Sequence, residues 1–202
     1  MSMIGGGILG HLYENSQNYF ITKTRWLDEK IGEIFDDAKR YIIIVSPYFN
    51  AGENRLRDIL DSRKRGVHIT VIVHSRTLVN IKSVQELSTL QDNGCLIKVH
   101  PDMHSKIYMN ERGVLTGSVN LVEGSFKRSL EFGSYTENVN YHKEVVNLIK
   151  YVYLNEDSIE DFNRDKIKTG FCIRTKNIIN YDIRHPIERN EFLSNYDKSG
   201  KY

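Results

Sequence analysis

The sequence predicts a mixed α/β domain with a largely parallel central sheet and helices on both faces of that sheet. Three short runs rich in β-branched residues, at 41–45, 67–73 and 95–99, indicate buried strands. Two stretches with apolar residues at helical spacing, at 53–65 and 84–90, separate these strands. This β-α-β-α-β alternation is typical of parallel strands that are joined by helices packed against the sheet.

The flanking elements follow from the same kind of pattern. A helix is predicted over residues 24–40, where the apolar residues fall on one face. The helix at 53–65 has a basic last turn followed by Gly66, and Asn93-Gly94 ends the helix at 84–90. Both endings are typical helix stops.

The pattern changes after residue 100. Strand-like runs at 107–109 and 114–116 flank residues 110–113, which indicate a hairpin turn. A further strand is predicted over 130–135 and a long amphipathic helix over 141–154. The polar stretch that follows indicates a boundary, so we predict one domain over residues 11–154 and a C-terminal extension over 155–202.

Composition limits the possible classes of protein. The net charge of +2 permits a polyanionic partner without arguing for one. Cys95 and Cys172 lie far apart and form no C-x-x-C pair, so we expect free thiols in a reducing compartment and no zinc site. No apolar run approaches the roughly 20 residues that span a bilayer, and the N-terminus lacks the pattern of a secretory signal. We expect a cytoplasmic protein without integral membrane association.

Five polar residues near the three later strands form the candidate site: His104, Lys106, Ser118, Asn120 and Glu131. Alternate residues of a strand point to the same side, so the His104 imidazole and the Lys106 ammonium converge. Ser118 and Asn120 repeat that spacing just after the next strand, and Glu131 opens the strand after that.

These residue types suit the binding and attack of a phosphate group. Lys106 offers a cation for a non-bridging oxygen, and Ser118 and Asn120 offer further hydrogen bonds. His104 can act as a nucleophile or carry a proton near neutral pH. Glu131 can hold one imidazole nitrogen and thereby fix the tautomer of the ring.

The string HSKIYMNERGVLTGSVNL…RSLEFG resembles the H-x-K…G-S-x-N signature of the phospholipase D superfamily. The likeness extends over residues 24–154 and includes the strand from Tyr41 that ends in Ser-Pro-Tyr-Phe. It implies that His104 is the catalytic histidine and that Lys106 binds the phosphate. Ser118 and Asn120 would form the second polar pair, and Glu131 would orient the histidine.

Two features depart from the family pattern. The usual Asp five residues after the lysine is Glu111, a position that we expect to be structural and part of the hairpin turn. The motif also occurs once, whereas members with two copies build one site from both. The resemblance therefore implies a homodimer with a shared site, a phosphohistidine intermediate, and no metal or other cofactor.

Several alternatives stay open at this stage. His100, Asp102 and His104 alternate and could hold a metal, although Pro101 interrupts a strand there. Lys127 and Arg128 border the site or lie in a solvated loop. The substrate is expected to be DNA or RNA, with a phospholipid as the first rival. The second rival is a nucleic-acid-binding or assembly module with little turnover.

Overall fold

The computed structural model describes residues 18–22, 24–128, 130–154, 159–172 and 177–182. Its centre is an eight-stranded sheet with the strand order β1-β9-β7-β6-β2-β4-β5-β10. These strands are β1 Asn18–Ile21, β2 Tyr41–Ser46, β4 His68–His74, β5 Leu96–His100, β6 Ile107–Asn110, β7 Val114–Gly117, β9 Gly133–Thr136 and β10 Glu160–Asp161. A two-stranded parallel sheet of β3 (Phe49–Asn50) and β8 (Leu121–Val122) lies beside the end of β2.

The predicted mixed α/β fold is confirmed, but the sheet is not largely parallel. Among the described strands of the eight-stranded sheet, only β2, β4 and β5 run parallel to one another. All other neighbouring strands in this sheet are antiparallel. These pairs are β1–β9, β9–β7, β7–β6 and β6–β2 on one side, and β5–β10 on the other. The connections through α2 (Gly52–Lys64) and α3 (Ile81–Asp92) supply the helical crossovers that the parallel pairing of β2, β4 and β5 needs. Between β6 and β7, by contrast, the turn at 111–113 reverses the chain directly.

Helices cover both faces of the sheet, as predicted. The described helices are α1 Thr24–Asp37, α2 Gly52–Lys64, α3 Ile81–Asp92, α4 Ser125–Arg128 and α5 Val139–Leu148, which continues as a π-helical turn over Ile149–Tyr153. Alternation along β2 separates two cores: Ile42 and Ile44 face the core that includes α1, α2 and α3, whereas Val45 faces the core of α5.

Part of the segment assigned to the C-terminal extension packs on the main sheet. Strand β10 pairs with the outer edge of β5, and Phe162 after it is 1% exposed in the core. Gln91 donates a hydrogen bond to the Phe162 carbonyl at 2.8 Å. Beyond it, β11 (Ile167–Cys172) and β12 (Asn177–Asp182) form an antiparallel pair that lies against α3 and the turn at 75–79.

Two further expectations concern membranes and thiols. None of the helices in the described ranges has the length and apolar character that would let it cross a bilayer. Cys95 is a buried free thiol, and burial raises its pKa to about 11. The side chain of Cys172 lies outside the described part of the chain.

Candidate active site

The predicted site residues gather at one edge of the central sheet. The parallel strands β2, β4 and β5 all end there, at Ser46, His74 and His100. Because β6 and β7 are antiparallel neighbours, the start of β6 and the end of β7 reach the same edge, with Ile107 opposite Thr116. Residues that precede β6, follow β7 or precede β9 are therefore brought together by the strand order.

His104 and Lys106 are in direct contact. Lys106 Nζ lies 2.9 Å from His104 Nδ1 and 3.3 Å from Nε2, and it donates to the His104 carbonyl at 2.6 Å. The two residues lie in the extended segment just before β6 rather than within the strand. The predicted convergence of imidazole and ammonium is nevertheless present.

The two side chains differ in their exposure to solvent. His104 is exposed, whereas Lys106 is 7% exposed. Burial lowers the pKa of Lys106, and the nearby Glu131 carboxylate raises it in partial compensation. The exposed imidazole is thus backed by a partly desolvated cation, which binds an anion more strongly than a fully hydrated one would.

Ser118 and Glu131 form the second pair of the site. Ser118 Oγ donates to Glu131 Oε2, and the Phe132 backbone N–H donates to Ser118 Oγ at 3.1 Å. Within the described part of the chain, no hydrogen bond joins Glu131 to His104. The orienting role for Glu131 thus stays a prediction. Glu131 also lies two residues before β9 rather than at its first position.

Gly117 brings these two segments close enough to bond. A Cβ atom at residue 117 would clash with the Phe132 carbonyl oxygen and would lie 2.8 Å from Gly133 Cα. Glycine is therefore required by the close approach of β7 and β9 at their site ends. The glycine of the G-S-x-N pattern thus places the serine beside the carboxylate.

Two residues that the sequence did not single out support the loop from Ser118 to Leu121. Tyr108 is fully buried and its hydroxyl donates to the Val119 carbonyl at 2.8 Å. The Leu121 N–H donates to Ser46 Oγ at 3.0 Å, and Ser46 in turn donates to the Tyr48 carbonyl. The position of Ser46 at the end of an apolar strand was the available signal for such a role.

Asn120 lies beside these supports and contains an unsatisfied group. Its Oδ1 atom is buried and has no hydrogen-bond partner within the described ranges. A buried acceptor without a partner costs about 1–3 kcal/mol. The side chain is therefore suited to accept a hydrogen bond from a group that enters the site.

Glu111 has the structural role that was expected for it. Its carboxylate accepts hydrogen bonds from the backbone N–H groups of Lys39, Arg40 and Tyr41, at 2.8, 3.2 and 3.4 Å. Burial opposes the charged form, but these hydrogen bonds prevail and lower the pKa of Glu111. Glu111 thus ties the β6–β7 turn to the start of β2, at the sheet edge opposite His104.

The remaining predicted residues can be placed only in part. Lys127 and Arg128 end α4, and their side chains lie outside the described part of the chain. His100 is buried, and its Nδ1 accepts from the Asp102 N–H at 3.0 Å. Among the described residues, no group of three His, Cys, Asp or Glu side chains is arranged to hold a metal ion.

Exposed apolar side chains border the site. Leu130 is fully exposed, and Phe132 is 58% exposed on the other side of Glu131. Tyr48, which follows the Ser46-Pro47 end of β2, is 42% exposed. Leu130 and Phe132 flank Glu131 in the sequence, so their exposed side chains are available to a molecule bound beside that carboxylate.

Comparisons with known proteins concern the family and the fold of the chain. The model of the family described as cardiolipin synthase, PLD-like domain, matches residues 31–153, more than half of the chain. No curated protein sequence matches the chain.

Among solved structures, the chain is similar to Nuc from Salmonella typhimurium, a phospholipase D family member. The TM-score is 0.62 and the sequence identity is 16%, and the match covers 72% of this chain and 99% of the Nuc chain. NucT from Helicobacter pylori has a TM-score of 0.63 and 15% identity over 72% and 98% of the two chains. TrmBL2, an archaeal chromatin protein, has a TM-score of 0.56 and 12% identity over 73% and 56%.

At these levels of identity the solved structures support the fold alone. The family match includes the segment with His104, Lys106, Ser118, Asn120 and Glu131. The chain therefore belongs to the family of phospholipase D-like domains, whose members include phosphodiesterase-type hydrolases.

Proposed function

We propose that the protein is a metal-independent phosphodiesterase that cleaves nucleic acid through a phosphohistidine intermediate. The observation that carries this proposal is the contact between Lys106 Nζ and the His104 ring, at the same sheet edge as the Ser118–Glu131 pair. A nucleophile, a cation for the phosphoryl oxygen and further hydrogen-bonding groups are thereby held together.

In the first step, a nitrogen of His104 attacks the phosphorus atom. A P–N bond forms and the bond to the leaving oxygen breaks. Lys106 stabilises the charge on the non-bridging oxygens, and the Asn120 side-chain amide donates a further hydrogen bond. The Ser118 hydroxyl, which donates to Glu131 in the free protein, turns to donate to a phosphoryl oxygen when substrate binds. The leaving oxygen takes a proton from His104 of the partner subunit, which acts as the general acid.

In the second step, water resolves the intermediate. His104 of the partner subunit, now deprotonated, takes a proton from the water as it attacks phosphorus, and the P–N bond breaks. Each subunit supplies one histidine and one lysine, so the site requires a two-fold dimer. The exposure of His104 supports this arrangement, because a second subunit needs access to it.

The preference for nucleic acid rests on the site and on the likeness to a DNA-binding protein. TrmBL2, whose structure shows a mode of DNA binding, is similar in fold to this chain. We propose Lys127 and Arg128, at the end of the short helix that precedes Glu131, as further contacts to the phosphate backbone. The catalytic unit proposed here spans residues 11–154, with residues 155–202 as its extension.

A phospholipid is the second candidate substrate. The exposed Leu130, Phe132 and Tyr48 favour it, because an apolar border can insert between acyl chains. The name of the matching family, cardiolipin synthase, points in the same direction. The same residues would also suit bases that stack on aromatic rings, so the apolar border does not decide between the two.

The first test is cleavage of labelled single-stranded DNA and RNA in EDTA, by wild type and by His104→Ala. We expect cleavage by wild type that disappears in the variant. Cleavage that EDTA abolishes and a divalent ion restores would overturn the metal-independent mechanism. Inactivity on nucleic acids with hydrolysis of phosphatidylglycerol vesicles would establish the lipid candidate. Tight oligonucleotide binding without turnover on any of these substrates would favour the binding module.

The second test addresses the shared site. Light scattering should give twice the chain mass of 23.5 kDa. Activity of mixed dimers of wild type and inactive His104→Ala should fall with the square of the wild-type fraction, to about one quarter at equal amounts. A linear fall to about one half would show independent sites.

A further inference from the structure

A second group of polar side chains lies at the same sheet edge, at the ends of β4 and β5. His74 ends β4, His100 ends β5, and the two residues are opposite each other in the parallel register. The turn Ser75–Val79 follows His74 and carries Arg76. None of these residues belongs to the motif that contains His104 and Lys106.

The backbone holds the His74 ring in a defined hydrogen-bonding state. The Arg76 N–H donates to His74 Nδ1 at 2.9 Å. A neutral imidazole whose Nδ1 accepts a hydrogen bond carries its proton on Nε2. Burial lowers the pKa of His74, and the Arg76 charge lowers it further, so the ring is kept in this neutral donor form.

Arg76 provides the permanent charge of the group. Its side chain is exposed, and within the described ranges no ion pair joins it to a carboxylate. Arginine presents several N–H donors in a planar fork that matches phosphate oxygens. Asp102, on the loop that leads to His104, has the opposite effect from Arg76 on the pKa of His74, because its negative charge raises that pKa.

The group lies at the same sheet edge as His104. His74 lies opposite His100 where β4 and β5 end, and the chain leads from His100 through three residues to His104. A polynucleotide presents a phosphate on every nucleotide, so a strand cleaved at His104 has another phosphate one nucleotide away. A simple phosphodiester has no such neighbour.

The turn that carries Arg76 also faces the C-terminal hairpin. Strand β12 packs against the turn 75–79.

We propose that Arg76 and His74 form a second phosphate subsite that binds the phosphate next to the scissile one in a polynucleotide. The subsite rests on the proposed nucleic-acid substrate. It goes beyond that proposal because it assigns recognition of a second phosphate to residues outside the motif of His104 and Lys106. Arg76 supplies the charge and a forked pair of donors, and His74 Nε2–H supplies one further hydrogen bond.

The experiment compares wild type with Arg76→Gln on two substrates, a single-stranded oligonucleotide and bis(p-nitrophenyl) phosphate, in EDTA. We expect KM for the oligonucleotide to rise about tenfold and kcat/KM for the simple diester to stay the same. Arg40→Gln is the matched control, because it removes the same charge from an exposed residue just before β2, at the opposite edge. That control should leave both substrates unaffected.

Fluorescence anisotropy with the same oligonucleotide gives a readout that does not depend on turnover. The slope of log K against log salt should decrease by about 0.7 in Arg76→Gln, the value for one lost phosphate contact on a single strand. An unchanged slope and KM in Arg76→Gln, with the oligonucleotide still cleaved by wild type, would overturn the subsite and leave the proposed function intact. Absence of both cleavage and binding by wild type would overturn both.

Discussion

Lys106 Nζ lies within 3.3 Å of both ring nitrogens of His104, so the two side chains of the motif are in direct contact. A phosphate oxygen bound by this ammonium would place the phosphorus atom close to the imidazole. Positioning of this kind supplies much of the rate enhancement in group transfer. In the proposed mechanism, the contact therefore combines binding of the phosphate and presentation of the nucleophile in one structural unit.

Lys106→Gln is expected to reduce kcat/KM by roughly 10²–10³-fold, because it removes the charge that stabilises the phosphoryl oxygens. Folding should be preserved, since the variant replaces a mostly buried cation by a neutral group of similar size. Steady-state kinetics together with thermal unfolding would check both statements. Lys143→Gln, on the exposed surface of α5, is the matched control and should retain full activity.

Glu131→Gln is expected to shift the alkaline limb of the pH–rate profile to lower pH. The Glu131 carboxylate raises the pKa of Lys106, so its removal lets that pKa fall further and the lysine loses its proton earlier. Ser118→Ala removes the hydrogen-bond partner of Glu131 without changing the charge, and its alkaline limb should stay in place. An alkaline limb that is unmoved in Glu131→Gln would argue against this electrostatic coupling.

Gly117→Ala is expected to reduce both stability and activity. The new methyl group would collide with the Phe132 carbonyl and push β7 from β9, which separates Ser118 from Glu131. Overpacking of this kind costs about 1–3 kcal/mol. Gly124→Ala lies in the same segment with no atom within 4 Å of the added carbon, so it is the control. Chemical denaturation and a cleavage assay of both variants would decide.

Glu111→Gln is expected to destabilise the fold by about 1 kcal/mol at neutral pH, because the amide cannot accept all three backbone hydrogen bonds. The pKa of Glu111 is lowered in the folded protein, so its contribution is present above the unfolded pKa and is lost as the pH falls through the folded value. The difference from wild type should therefore shrink in acid. Glu144→Gln, exposed on α5, should show neither effect.

The sequence predicted which polar residues lie at one sheet edge better than it predicted the direction of the strands, and the catalytic roles of these residues stay predictions. The spacing of His104, Lys106 and Ser118 at strand ends was sufficient to predict that they lie at one edge, because neighbouring antiparallel strands bring these ends together. The antiparallel half of the sheet was not predicted, since short apolar runs indicate a strand but not its partner.

The supporting contacts were not accessible to sequence reasoning for a related reason. Tyr108 and Ser46 act through backbone groups of a loop that neighbours them only in the folded sheet. The four-residue strand β1 was also missed, because it is too short to show a period. The pairing of Ser118 with Glu131 likewise depends on the close approach at Gly117.

The most direct test of the central claim is rapid-quench labelling of the protein by an internally ³²P-labelled oligonucleotide in EDTA. An alkaline quench preserves a phosphohistidine, so label should appear on wild type, map to the peptide that contains His104, and vanish in His104→Ala together with cleavage. Cleavage by His104→Ala at the wild-type rate, with label absent from both proteins, would contradict catalysis by this histidine.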